Sequence, residues 1–250
     1  MEGTHLLEEL LKANLSPSEV IATEEWISKN QKIVSKFDFS LLSIVSKEAL
    51  ASSVTTKSPD GVAALVKISS VGGSDCKKKD DFILVLDRVQ DPGNLGNLFR
   101  TALAGGVDRI FLGGGANPLN QKVLRASCGS LFHLPFERID GLEEFVISKL
   151  LLTLKDFSNK GFQIILTAGQ NQVSQMSLKP YWDLDWLRPT VLVLGNEGSG
   201  IHKNIKEAFN EIVTIPHSEL VESLNVASVA VPLLLERKRV TISTTTENKK

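Results

Sequence analysis

Three stretches hold the groups most able to do chemistry. The first is Asp87-Arg88-Val89-Gln90-Asp91-Pro92-Gly93-Asn94-Leu95-Gly96-Asn97-Leu98-Phe99-Arg100-Thr101-Ala102. Asp91-Pro92-Gly93 reads as a turn, and Asp91 or Asn94 can cap the helix that follows. Leu95, Leu98, Phe99, Ala102 and Leu103 share one face of that helix, so Arg100 projects away from the core. A guanidinium one turn inside a strand–glycine–helix junction can bind a phosphate bidentately. The plain alternative is a surface arginine. The second stretch, Gly195-Asn196-Glu197-Gly198-Ser199-Gly200, sets three glycines and one carboxylate behind an apolar run. Such a turn can offer bare backbone N–H and C=O groups to a ligand. Glu197 reads either as a solvated loop carboxylate or as a fixed acceptor in a pocket. The third stretch runs from Ile215-Pro216 to Asn225. Its Ser223 and Asn225 lie among Leu224, Val226, Ala227 and Val229, and polar groups in such company need partners. A polar ligand is one candidate.

These stretches need strands and helices to aim them. Candidate strands are 82–86, 109–112, 132–135, 162–167, 191–194 and 212–215, and helical patterns occupy 94–104, 121–127, 142–154, 201–209 and 218–236. The expected fold class is therefore α/β, a mostly parallel sheet with helices on both faces. Ligands of such sheets bind beyond the carboxyl ends of the strands. Pro216 breaks the last strand, and Ser218 or Glu219 is expected to open a helix carrying Ser223 and Asn225 in its first half. Residues 1–70 read as a separate small α/β unit, with helices at 5–13, 24–30 and 47–51 and strands at 20–22, 41–45 and 62–68. A glycine, serine and lysine stretch at 71–81 reads as a linker. The threonine-rich residues 241–250 read as a disordered tail.

Composition removes several classes. The chain has 250 residues, 42% apolar and 23% charged, with a formal net charge of −1. A nucleic-acid partner must then be held by a local patch; Lys77, Lys78 and Lys79 are one option, though solvated linker lysines are the commoner case. No apolar run reaches the ~18 residues of a membrane span, and residues 1–9 resemble no targeting peptide. Two cysteines, Cys76 and Cys128, make no disulfide framework. A cytoplasmic protein with reduced thiols is expected. His202 and His217 have no companion at metal-ligand spacing, and no metal is expected. Ser223 has no His–Asp pair near it in sequence. The phosphate-loop and dinucleotide fingerprints are missing, which counts against a nicotinamide oxidoreductase.

Taken together, Asn94-x-Gly96-x-x-x-Arg100-Thr101-Ala102, Gly195-Asn196-Glu197-Gly198-x-Gly200-Ile201 and Ile215-Pro216 through Ser223-Leu224-Asn225-Val226 resemble the three motifs of the SpoU-type (TrmH-like) RNA 2′-O-ribose methyltransferases of the SPOUT superfamily. The resemblance spans about residues 82–240. Residues 1–70 resemble, less closely, the ribosomal-protein-like RNA-binding domain often fused to this family. The resemblance implies a C-terminal trefoil knot, a device otherwise nearly absent from proteins. It implies S-adenosylmethionine as cofactor, held by backbone at Gly195, Ile215 and Leu224, with Gly200 and Thr167 beside them. It implies a homodimer, and RNA as substrate, ribosomal RNA favoured over transfer RNA. Arg100, Asn94, Glu197, Ser223 and Asn225 take the catalytic places. An RNA-binding protein that kept the fold without turnover is the competing reading. His217 and Glu219 stand where the family commonly has methionine and glycine, so the cofactor rim is expected to differ.

Overall fold

Strand β4, Phe82–Asp87, is buried at all six positions. That is what a strand covered on both faces requires. It lies near the middle of a seven-stranded sheet with β5 (Arg109–Gly113), β6 (Phe136–Ile139), β7 (Gln163–Thr167), β8 (Lys179–Pro180), β9 (Thr190–Leu194) and β10 (Ile212–Thr214). The order is β6-β5-β4-β9-β7-β10-β8, and every pairing is parallel. The computed structural model describes residues 1–68, 71–72, 80–169 and 178–247.

The period of two sorts the core. Phe82, Leu84 and Leu86 face a cluster formed with α5 (Pro92–Gly105), α6 (Gln121–Ser127) and α9 (Val226–Glu247). Ile83 and Val85 face the opposite cluster, with α7 (Glu143–Asn159) and α8 (Lys203–Ala208). Each fully buried side chain of this kind contributes about 1.5–3 kcal/mol. Arg237 on α9 is buried as well, and its charge is satisfied. Its Nη1 donates to the carbonyl oxygens of Trp186 (2.5 Å) and Arg188 (2.8 Å), and its Nη2 to Asp81 (2.5 Å). Burial pushes its pKa down, against the pull of Asp81 and Asp108.

Residues 1–68 form a smaller sheet, β2-β1-β3, from β1 (Glu19–Ala22), β2 (Leu42–Ile44) and β3 (Val62–Leu65). Helices α1 (Thr4–Lys12), α2 (Glu24–Lys29), α3 (Gln31–Val34) and α4 (Lys47–Ser53) accompany it. Leu6, Leu7 and Leu10 of α1 belong to the same apolar cluster as β4 and α5.

Four expectations are corrected. Residues 132–135 are not a strand. After α6, Cys128 (φ 47°) and Gly129 (φ 82°) are both left-handed and turn the chain into a 3₁₀ helix, Ser130–Phe132; the strand starts at Phe136. The helix expected from Ser218 starts at Val226, so Ser223 and Asn225 precede it. Leu220 is 96% exposed, so an earlier helical turn would bury nothing there. The strand at 62–68 stops at Leu65. The expected disordered tail is helical through Glu247, and within that helix Thr241, Ser243 and Thr244 return their hydroxyls to backbone carbonyls three or four residues back. Cys76 and Lys77 to Lys79 lie outside the described residues.

Candidate active site

Strands β4 and β9 are neighbours, and on either side of them the strand order runs in different directions. Their carboxyl ends mark the switch point where such sheets place ligands. After β4 comes Arg88, a non-glycine residue in the left-handed region (φ 57°). Asp91 caps α5 by accepting from the Asn94 N–H at 2.8 Å, which settles which of the two is the cap. After β9 comes the glycine loop. Its mouth is closed by Asn196 N–H to Gly200 O (3.1 Å) and Gly200 N–H to Asn196 O (3.0 Å), and Asn196 Oδ1 accepts from the N–H groups of Gly198 and Ser199.

The two loops are buckled together. Asn196 Nδ2 donates to Arg88 O at 2.8 Å, and the His202 N–H to Asp87 Oδ2 at 2.7 Å. Asp87 is fully buried and paired with Arg88 Nε at 2.8 Å. Glu197 closes the join. Its carboxylate accepts from the N–H groups of Gln90 (3.0 Å) and Asp91 (3.1 Å) and from Asn94 Nδ2 (3.1 Å). Asn94 Oδ1 accepts in turn from Asn225 Nδ2 at 2.9 Å. Asn225 Oδ1 caps α9 through the Ala227 N–H at 2.8 Å. Asn94, Glu197 and Asn225, from three distant stretches, thus form one chain of hydrogen bonds.

That chain borders a cavity. Glu197, Ser223 and Asn225 line it, as do Gly195, Gly200, Thr167, Ile215 and Leu224. Val226, Val229 and Leu233 make its wall largely apolar. Gly195 leaves no room for a side chain: a Cβ there would lie 2.3 Å from Ile201 N. His217 also lines the cavity, and its Nδ1 is 2.7 Å from Ile215 O. The cavity therefore has an imidazole on its rim, tied to one of the backbone groups named for cofactor contact. Arg100 is exposed and lies outside the cavity, with Nη1 3.6 Å from Cys128 Sγ. Sequence reasoning missed Asn196, Asp87 and the Arg88 carbonyl; Asn196 carried a signal, since asparagine ahead of glycines often bonds its own turn. Among the described residues no group of three or more His, Cys, Asp or Glu side chains gathers as a metal would need. No helix among them is long and apolar enough to cross a membrane.

Partial burial raises the Glu197 pKa, but the hydrogen bonds from Gln90, Asn94 and Asp91 outweigh it and bring the pKa below the usual carboxylate value. A depressed folded pKa means the contribution to stability is present above the unfolded value, about 4.3, and disappears as pH falls through the folded one. Glu197→Gln is expected to cost about 1 kcal/mol at neutral pH. Its melting temperature should also fall less steeply below about pH 4.3 than that of the unsubstituted protein. Circular dichroism melts across pH 3–7 check both; parallel acid limbs would show that Glu197 carries no charge-dependent stability.

The family model described as SpoU rRNA Methylase matches residues 81–235. An uncharacterised tRNA/rRNA methyltransferase of Synechocystis is 35% identical over 242 residues, covering 96% of this chain and 83% of its own. The Bacillus subtilis 23S rRNA (guanosine(2553)-2′-O)-methyltransferase RlmP is 32% identical over 236 residues, with coverages of 94% and 86%. The SpoU methyltransferase AviRb of Streptomyces viridochromogenes, solved with AdoMet, superposes with a TM-score of 0.73 at 22% identity, over 97% of this chain and 90% of that one.

Proposed function

The chain belongs to the SpoU rRNA methylase family, and from that membership we propose that it methylates a ribose 2′-hydroxyl in structured RNA, with ribosomal RNA favoured over transfer RNA. The observation that carries this reading is the hydrogen-bonded chain Glu197–Asn94–Asn225, which joins the three family motifs at one apolar cavity. The cavity fits a nucleoside-type cofactor. Its wall is largely apolar, and Gly195 brings backbone where any side chain would collide. Backbone at Gly195, Ile215 and Leu224 would hold S-adenosylmethionine, with Gly200 and Thr167 beside it. That cofactor supplies an electrophilic methyl group on a sulfonium.

The chain's own task is positioning, because an in-line displacement needs its three reacting atoms in a row. Arg100 grips an RNA phosphate next to the target ribose, and its exposure leaves it available for that. A guanidinium stays protonated at neutral pH and has no acceptor, so the 2′-hydroxyl proton passes to an oxygen of the RNA phosphate that Arg100 holds. Asn94 and Glu197 hold the start of α5 and, through it, Arg100. Ser223 and Asn225 orient the nucleotide by hydrogen bonds.

Three further parts of the proposal rest on this frame. Residues 1–70 form an RNA-binding domain, 71–81 a linker and 82–240 the catalytic domain. The path through β9 and β10 is a trefoil knot; supporting this, β7 lies between them while the loops after both border one cavity. The enzyme is a cytoplasmic homodimer, consistent with exposed Leu103, Leu220, Val231 and Leu235.

The test is calorimetry with S-adenosylhomocysteine and with NAD, followed by transfer of tritiated methyl groups to RNA from a strain lacking the gene. Binding of the first ligand alone and label in ribosomal RNA, recovered as a 2′-O-methylnucleoside, are expected. Label in transfer RNA alone would reassign the substrate. Affinity for neither ligand would end the proposal.

A further inference from the structure

The motif residues Asn94 and Glu197 hold the helix that carries Arg100, not its guanidinium. Its guanidinium meets Cys128, at the end of α6, where Nη1 donates to Sγ at 3.6 Å. Cys128 reaches back because it is left-handed (φ 47°), and its thiol lies 3.7 Å from Arg125 O. The two helices are close enough for this because of Gly96. A Cβ on Gly96 would lie 2.5 Å from Ala126 Cβ and 2.7 Å from Val123 O, so α5 and α6 touch backbone to side chain.

The other side of the same segment carries the N-terminal unit. Arg125 Nη1 donates to Thr55 Oγ1 at 3.1 Å and lies 3.6 Å from Glu2 Oε2. Glu2 is a fixed anion. Burial pushes its pKa up, but hydrogen bonds from the backbone and hydroxyls of Thr55 and Thr56 outweigh this and hold it at about 2. Four residues on, a Cβ at Gly129 would lie 2.3 Å from Glu9 Cβ, and Glu9 Oε2 meets His133 Nε2 at 3.2 Å. Residues 125–133 are therefore clamped by residues 2, 9 and 55 on one side and touch Arg100 on the other.

We propose that Arg125 is a positioning residue for Arg100: the docked N-terminal unit fixes Arg125, Arg125 fixes the Cys128 turn, and the Cys128 thiol holds the guanidinium in its working orientation. The inference rests on Arg100 being the group that grips the substrate phosphate. It adds that the unit expected to recognise RNA also sets the geometry of the transfer step. Small losses of alignment are costly in such a step, whereas the cofactor cavity is lined by none of these residues.

The experiment measures kcat and KM for RNA, S-adenosylhomocysteine affinity and melting temperature in full-length Arg125→Gln, Cys128→Ala, the double variant and Arg100→Ala. In both single variants kcat should fall about tenfold, with cofactor affinity and melting temperature unchanged. The double variant should be no worse than either single one, because they act along one line. Three results overturn the inference: unchanged kcat in both single variants while Arg100→Ala is inactive, effects that multiply in the double variant, or a rise in KM for RNA at constant kcat in Arg125→Gln. The last is the mark of a direct phosphate contact. Full activity in Arg100→Ala would instead remove the reading on which the inference stands.

Discussion

Arg100→Ala is expected to slow methyl transfer by about 10³-fold, roughly 4 kcal/mol of transition-state stabilisation, while S-adenosylhomocysteine binding stays within about twofold. The two halves of this expectation have separate grounds. Arg100 is exposed on α5 and lines no part of the cavity, so the cofactor wall keeps every contact. The stripe that anchors α5, including Leu95, Leu98 and Phe99, is untouched, and alanine is the best helix former. Binding and folding should therefore survive. The rate should not, because a bidentate grip on a phosphate is a geometric restraint that water cannot replace. Arg100→Lys should recover only a small part, since an ammonium keeps the charge without the planar fork. Single-turnover methylation of RNA with cofactor at saturation isolates the transfer step. Substantial activity in the alanine variant under those conditions would falsify the assignment of Arg100.

That exposure was legible in the sequence. Of the five residues expected on one buried helical face, Leu95, Leu98, Phe99 and Ala102 are buried and Leu103 is 39% exposed, while Arg100 lies outside as expected. The strands β4 and β9 were equally legible, since a strand covered on both faces must be apolar throughout. Periodicity failed where burial came without regular structure. Phe132 and Leu134 are both buried and alternate as a strand would, but they sit in and just after a 3₁₀ turn set by two left-handed residues. Leu220, Val221 and Leu224 look like the start of an apolar helix face and are all exposed. At α9 the threonine-rich stretch read as disordered from composition alone, yet the helix runs on through Glu247 with its hydroxyls bonded back along it.

The site divides along the same line. Glu197, Ser223 and Asn225 followed from their loops, whereas Gly195, Ile215, Leu224, Gly200 and Thr167 came from the family resemblance; these eight line the cavity, and Asn94 and Arg100 do not. How they are joined did not follow. Asn94 and Glu197 are 103 residues apart, and Asn94 and Asn225 are 131 apart. Contacts across such separations are set by sheet order, and no local pattern encodes that. The same holds for Asp87, whose role is to bind the backbone of His202 at the exit of a loop that starts over a hundred residues later. Asp87 by itself reads as the polar end of a strand.

Gly195→Ala is expected to lower S-adenosylhomocysteine affinity by a factor of 10–100, about 1.4–2.7 kcal/mol, and to destabilise the fold by about 1–3 kcal/mol. The added methyl would meet Ile201 N at 2.3 Å, the Gly200 carbonyl carbon at 2.4 Å and its oxygen at 2.9 Å. All three are backbone atoms, so no rotamer change can relieve the contact. Nor can the loop swing aside at low cost. Gly200 is held by both of its hydrogen bonds to Asn196, and the chain two residues on is tied to Asp87. Relief must come from opening the Asn196–Gly200 mouth, which shifts Glu197 and so the link to Asn94. One methyl group at the base of the loop thus reaches the cavity wall and α5 together. Gly198→Ala in the same loop is the control. Its nearest neighbour to an added Cβ is Asn196 Oδ1 at 3.6 Å, an ordinary contact. Calorimetry and thermal melts on the pair check the expectation. Equal cofactor affinities for the two variants would mean that bare backbone at Gly195 is not what the cofactor needs, and the glycine would then be explained by loop closure alone.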